Sequence, residues 1–354
     1  MNGKEDLMKC LNKAICNSKT SMPNILIQQN IPLAPFTTFH IGGPAKFFAE
    51  VSSEKNLSEA LDFAREKNLK IFILSGGSNV LISDDGFDGL VIKINDAENR
   101  KQSGIKLSGE NIECWSGESL ASVVKFVAEN SLAGLEWAAG IPGTIGGAVR
   151  GNAGAFGEEM ANVVESVKVC EILKNSKVCG MDYKPVPANS LEICKILTKE
   201  ACGFSYRNSI FKKNKNLIIL SAKLRLEKGD QEKIKNKIKE FLEKRTKSQP
   251  KGFSAGSFFQ NPVVKNQKLL EQFEKDTGSK AREGKIPAGW LIDESGFRGK
   301  KIGGVMISEK HSNFIVNTGN GTAQDVVMLA SIIKQKLREE FNVQLKEEVQ
   351  YVGF

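Results

Sequence analysis

Hydrophobic and polar positions alternate between two periods along this chain, and the changes of period mark out its elements. Leu57, Leu61 and Ala64 recur at helical spacing, and the apolar run Ile71 to Leu74 reads as a buried strand. Leu90 to Ile94 predicts another strand. A helix over Glu118 to Glu129 carries Leu120, Val124 and Val127 on one face. Val167 to Leu173 reads as a strand, followed by an irregular segment to about Leu197 that contains Pro185 and Pro187. Ala222, Leu224 and Leu226 then alternate with Lys223, Arg225 and Glu227, the pattern of a strand with one buried face.

Asp230, a good N-cap residue, opens a helix with Ile234, Ile238, Phe241 and Leu242 on one side, ending before Pro250. Ile286 to Gly296 predicts a short helix entered at Pro287 and left at Gly296. A long helix from about Thr322 presents Val326, Ala330, Ile333 and Leu337, and Val343 to Val352 reads as the last strand. Strands and helices mixed throughout indicate an α/β or α+β protein, with a domain boundary near Gly229. Residues 1–29 read as a helical or frayed leader with little chemical content.

The chemistry concentrates where the periodicity breaks. Between Leu135 and Gly157 stand Gly140, Gly143, Gly146, Gly147, Gly151, Gly154 and Gly157. Such a loop can bring bare backbone amides to phosphate oxygens, or it can be a tight buried crossing of backbone with no ligand. A second, weaker candidate is Ser75-Gly-Gly-Ser-Asn79, entered from the strand Ile71 to Leu74.

Bulk properties narrow the choice. The 354 residues, 40% hydrophobic and 26% charged, suit a globular protein of two or three domains. There is no apolar run of membrane-spanning length and no secretory signal, so membrane insertion is not expected. Seven cysteines, odd in number and without a C-x-x-C pair, argue against a disulfide framework or zinc site and fit a cytoplasmic protein. With only His40 and His311, a multi-histidine metal centre and a Ser-His-Asp triad are both disfavoured, and no metal is expected. The net charge of +9 is spread among glutamates without interleaved aromatics, which favours small anionic ligands over nucleic acid.

Nine segments in order are similar to one family: Thr37-Thr-Phe-His-Ile-Gly-Gly43, Gly76-Gly-Ser-Asn-Val-Leu81, Gly140-Ile-Pro-Gly-Thr-Ile-Gly-Gly147 and Asn152-Ala-Gly-Ala-Phe-Gly157, then Tyr206-Arg-Asn-Ser209, Ala255-Gly-Ser-Phe-Phe-Gln-Asn-Pro262, Ala288-Gly-Trp-Leu-Ile-Asp293, His311-Ser-Asn-Phe-Ile-Val-Asn317 and Glu348-Val-Gln-Tyr-Val-Gly353. From about residue 30 onward the chain resembles the UDP-N-acetylenolpyruvoylglucosamine reductases (UDP-N-acetylmuramate dehydrogenases) of peptidoglycan synthesis. The Arg207 to Ser257 interval marks the shorter variant, which lacks a tyrosine-bearing loop over the substrate.

The resemblance implies an α+β fold: a two-subdomain FAD-binding unit of the vanillyl-alcohol oxidase/p-cresol methylhydroxylase type over 30–228, split near 95–105, and a substrate-binding domain over 229–354. It implies non-covalent FAD, NADPH as hydride donor, and reduction of the enolpyruvyl ether of UDP-N-acetylglucosamine to UDP-N-acetylmuramate. The hydride goes to the β-carbon and a proton to the α-carbon. A monomer in the cytoplasm is favoured.

Residue by residue, it makes Ser257 the proton donor, with Arg207 and Glu348 beside the substrate carboxylate. Ser75, Gly76, Gly77, Ser78, Asn79 and Val80 would meet the flavin. So would Gly140, Ile141, Pro142, Gly143, Thr144, Gly146 and Gly147, together with Asn152, Ala153 and Gly154. Tyr206, Asn208, Gln260 and Asn261 would meet the nucleotide sugar. Charge alone nominates Arg245 and Lys247 for the diphosphate, against a solvated helix end. Arg150 has a phosphate and a surface acid as open alternatives.

Overall fold

The computed structural model describes residues 25–96, 104–172, 192–281 and 283–354. Two sheets and a smaller C-terminal unit make up the molecule. The first sheet is built from β1 (Ile27–Pro32), β2 (Pro44–Val51), β3 (Lys70–Leu74) and β5 (Phe87–Ile94), in the order β1-β2-β5-β3. Both β2 and β3 run parallel to β5. Parallel strands of one sheet need a crossover, and α1 (Glu54–Glu66) supplies it between β2 and β3, which flank β5. Ser53 caps this helix by accepting the Asn56 amide, and Leu57, Ala60, Leu61 and Ala64 bury its inner face.

The second sheet is antiparallel throughout. It contains β6 (Ile105–Ser108), β7 (Asn111–Trp115), β8 (Val164–Ile172), β9 (Glu192–Thr198) and β10 (Leu217–Arg225), ordered β9-β8-β10-β7-β6. Leu57, Leu61, Leu90 and Ile92 share one core with Cys170, Ile218 and Leu220, so the two sheets are packed together. On the other side of the second sheet lie α2 (Leu120–Glu129) and α3 (Ile145–Gly151). Val123, Val127, Ile145 and Val149 pack there against Val167, Ala222 and Leu224.

Beyond β10, Asp230 caps α4 (Gln231–Ser248) by accepting the Lys233 amide at 2.9 Å. Ile238 and Phe241 pack against the core of the second sheet, and Ile234 is buried. Leu242, expected on the same face, is 42% exposed. The C-terminal unit comprises α5 (Gln267–Thr277), α6 (Ala288–Glu294), the antiparallel strands β11 (Lys301–Ile302), β12 (Val305–Ile307) and β13 (Ile315–Asn317), and α7 (Ala323–Phe341). Its core joins Phe258, Phe259, Leu291, Val326 and Ile333 to Phe39, Ile41 and Leu81 of the first half.

Two sequence expectations fail here. The expected terminal strand Val343 to Val352 shrinks to β14 (Gln350–Val352), paired in parallel with β4 (Val80–Ile82). The preceding residues are extended, but they bond to the Phe258–Gln260 segment: Gln260 donates to Lys346 and Glu348 donates to Phe258. The stretch expected to be irregular to Leu197 contains β9, whose alternation is interrupted by Cys194 and Lys195. The leader up to residue 24, Pro185 and Pro187, and most of the expected subdomain split lie outside the described residues.

Helix α7 opens on a reciprocal cap. Asp325 donates its amide to Thr322, while the Asp325 carboxylate accepts the amides of Thr322 at 3.1 Å and Gly304 at 3.0 Å. These donors hold its carboxyl below the ordinary 3.8. A depressed folded pKa stabilises the fold above the unfolded value and is lost as pH falls through the folded one. Asp325→Asn should therefore lower the urea midpoint at pH 7, with the difference from wild type shrinking as pH drops below 3.8.

Candidate functional site

Two glycine turns face each other between the sheets. A Cβ on Gly76 would stand 2.5 Å from the Gly143 Cα, and one on Gly143 would stand 2.8 Å from the Ser78 hydroxyl. Only glycine allows that approach. Ser78 Oγ donates to the Pro142 carbonyl at 3.1 Å, and the hydroxyls of Ser75 and Thr144 hydrogen-bond each other. Beside this meeting lies a cleft of about 500 Å³, lined among others by Thr37, His40, Ser75, Lys93, Ser119 and Thr144.

The backbone amides separate ligand-facing positions from internal ones. Ile141, Ile145, Gly146, Asn152 and Ala153 donate to carbonyls within the protein. Among the described residues, the amides of Gly76, Gly77, Ser78, Asn79, Gly143 and Thr144 have no protein acceptor. Unspent donors of this kind need a partner. Among the expected flavin contacts, free amides are thus found in the 76–79 turn and at 143–144. Gly140 instead makes room for Leu242 and Arg245 of α4, and Gly154 for the backbone of Glu158. Val80 is a strand residue buried opposite Gln350, and Ala153 also accepts the Met160 amide.

A second cluster forms around a two-residue turn. Ser205 and Asn208 exchange backbone bonds of 3.0 and 2.9 Å, leaving Tyr206 and Arg207 at the tip. Arg207 has φ +54, a left-handed conformation usually given to glycine. Its Nε lies 2.9 Å from Glu348 Oε1, with 23% and 17% of the two side chains exposed. No acceptor is aligned with that N–H, so the contact is an ion pair rather than a directed hydrogen bond. Burial raises the Glu348 carboxyl above its ordinary 4.5, opposed by the positive charges of Arg207 and Lys212.

The third element is the Ala255–Asn261 segment. Asn313 grips it by accepting the Phe259 amide at 2.9 Å and donating to the Phe259 carbonyl at 2.8 Å. Half-buried Ser257 follows Gly256 at φ +76. Glu348 donates its amide to the neighbouring Phe258 carbonyl at 2.8 Å, which seats it alongside. Asn79 Nδ2 in turn donates to the Glu348 carbonyl at 3.2 Å. Three segments far apart in sequence thus converge at one edge of the glycine turns.

A family model described as UDP-N-acetylenolpyruvoylglucosamine reductase, C-terminal domain, matches residues 249–352, and one described as FAD binding domain matches 45–175. The UDP-N-acetylenolpyruvoylglucosamine reductase of Solibacter usitatus is 34% identical over 337 residues, covering 94% of this chain and 98% of its own. The chain belongs to the UDP-N-acetylenolpyruvoylglucosamine reductase family. A Clostridium perfringens reductase of the same name is 37% identical, with 91% of each chain covered. The solved structure of a UDP-N-acetylenolpyruvylglucosamine reductase from Thermus caldophilus superposes with a TM-score of 0.67 at 29% identity, over 93% of this chain and 99% of that one. FAD is the cofactor of the family's first unit, and the unspent amides of the two glycine turns fit its diphosphate.

Measured against the residue expectations, the fold brings Tyr206, Arg207, Asn208 and Glu348 together, with Ser257 and Gln260 on the adjoining segment. Three of the nominated residues already have partners within the protein. Asn152 is fully buried, donating to the Ser205 carbonyl at 3.0 Å and accepting the Ala161 amide, so its side chain brackets the two segments. Arg245 donates from Nε to the Ala139 carbonyl at 2.8 Å and from Nη2 to the Trp137 carbonyl at 3.1 Å, and stacks over Phe156. Asn261 uses its carboxamide oxygen on the Ala288 amide at the start of α6.

Arg150 meets no acid among the described residues at ion-pair distance. Sequence reading missed Lys93 and His40 of the cleft and Lys212 beside Arg207, since a lone lysine or histidine carries no spacing signal. The crowding of the two turns is directly testable. Gly76→Ala should strip bound FAD, read as a fall in the 450 to 280 nm absorbance ratio. Gly151→Ala, whose Cβ meets open space, should retain it.

Proposed function

We propose that this protein reduces the enolpyruvyl ether of UDP-N-acetylglucosamine with NADPH, giving UDP-N-acetylmuramate. The observation that carries the reading is the Arg207–Glu348 pair seated beside Ser257 at the edge of the glycine turns. Bound FAD would supply hydride transfer in two stages, held by the amides of 76–79 and 143–144 and by the Ser75 and Thr144 hydroxyls.

The chain's own residues have three tasks. Arg207 presents a fixed cation to the substrate carboxylate, into which charge flows as the β-carbon gains hydride. Ser257 gives its hydroxyl proton to the α-carbon; a hydroxyl is a weak acid, but an enolate-like carbon is basic enough to take the proton. Glu348, raised above ordinary glutamate by burial, holds a proton more readily than an exposed carboxylate and so adds less negative charge beside the substrate. Tyr206 is 42% exposed and lies between Arg207 and Lys285, their charges 5.7 and 5.1 Å from its ring. That placement suits a lid over a sugar nucleotide. Between Arg207 and Ser257 the chain holds a short helix, β10, a two-residue strand and α4, with no inserted loop.

By packing, α4 belongs with the FAD-binding unit, so we place the functional division near Gln249 rather than 228/229. The reading is tested by substrate-dependent oxidation of NADPH, followed at 340 nm. Absence of that oxidation in FAD-replete protein would overturn it. Ser257→Ala should leave flavin reduction by NADPH intact and slow reoxidation by the enolpyruvyl substrate at least a hundredfold, in line with ~10²–10⁴ for a lost proton donor. Reoxidation at the wild-type rate would remove Ser257 from the mechanism.

A further inference from the structure

The Arg207 turn raises a physical question that the ion pair leaves open: what holds an arginine in a left-handed conformation while its guanidinium stays fixed. A non-glycine residue there is strained. The turn is braced at its base, where Asn152 donates to the Ser205 carbonyl at 3.0 Å and Ser209 Oγ donates to the Arg150 carbonyl at 2.6 Å. Neither bond reaches the tip. The Arg207 carbonyl itself accepts Lys212 Nζ at 2.7 Å, from the single helical turn Ile210–Lys213.

A carbonyl can be satisfied by any neutral donor, and a lysine is a costly way to do it here. Lys212 is half-buried, and Arg150 and Arg207 are both near enough to repel it. Among the described residues, Glu348 is the one carboxylate in ion-pair contact with any of these three cations, and its contact is with Arg207. The cluster therefore carries surplus positive charge behind the position assigned to the substrate carboxylate.

We propose that Lys212 is a positioning residue for the reduction: it clamps the tip of the Arg207 turn through the Arg207 carbonyl and places a second fixed cation behind the guanidinium, so that a carboxylate-bearing substrate is held and its developing charge is met. This rests on the reductase reading given above. Burial and the two arginines weaken the hold of Lys212 on its proton, while Glu348 strengthens it, consistent with a charge that an incoming anion completes.

Three substitutions separate the two parts of the role, in protein purified with its bound FAD. Lys212→Met removes both clamp and charge, Lys212→Gln keeps a donor without charge, and Lys212→Arg keeps both. Stopped-flow absorbance follows flavin reduction by NADPH and reoxidation by the enolpyruvyl substrate. Titration of UDP-N-acetylmuramate into the oxidised protein, read as a flavin spectral change, reports anion affinity separately from turnover.

Lys212→Met should slow reoxidation about ten- to a hundredfold, the scale of a misplaced catalytic group, and weaken product binding, with NADPH reduction within twofold of wild type. Lys212→Gln should recover most of the reoxidation rate but not the affinity. Lys212→Arg should recover both. Wild-type reoxidation and affinity in Lys212→Met would overturn the proposal, as would equal losses in all three variants or a matching loss of NADPH reduction, each the mark of a packing role. Wild-type protein that takes electrons from NADPH but passes none to the enolpyruvyl substrate would instead overturn the reductase reading, and this inference with it.

Discussion

A half-buried ion pair between Arg207 and Glu348 joins residues 141 positions apart, and much of the site's architecture serves to hold its two ends. Burying charges costs several kcal/mol per ion before their attraction is counted, so such a pair is weak evidence of stability by itself. It persists because each end is fixed independently. The arginine stands on a braced two-residue turn, and the glutamate is locked by main-chain bonds to the Phe258 carbonyl and to Asn79. What the fold gains is a cation held in a fixed direction.

The same bonds tie the reacting groups to the cofactor turns. Asn79 belongs to one glycine turn and holds Glu348, while Asn152 and the Arg150 carbonyl at the end of α3 hold the arginine turn on both sides. Helix α3 begins at Thr144, in the other glycine turn. Arg207 and Glu348 are therefore tied to the glycine turns by short side-chain to main-chain bonds. Precision of this kind matters where a hydride must cross between two bound molecules.

Much of this was legible in the chain. Asp230 and Thr322 marked helix starts that the structure confirms, because capping is a local interaction encoded within four residues. The family motifs fixed the FAD-binding unit and the partner unit, and Arg207 and Glu348 do meet. Other features depended on what lies across space. Gly140 and Gly154 looked like ligand-loop glycines, yet they make room for α4 and for a hairpin. Asn152 reads as a polar loop residue but is consumed as a buried bracket, and the last strand was overestimated because its first half pairs with a loop and not a ladder. Lys212 was invisible, since nothing local tells a lysine after a phenylalanine that it will face another residue's carbonyl.

The parallel pairing of β14 with β4 has a consequence for how the protein comes into being. Asn79 and Glu348 are separated by 269 residues, and both glycine turns are synthesised long before the strand that completes their surroundings. At about 5–20 residues per second, the nascent chain carries its first cofactor turn for tens of seconds without its final neighbour. Contacts of such long sequence separation form late and slowly. A chain interrupted shortly before Glu348 would hold both glycine turns and lack the carboxylate that meets Arg207.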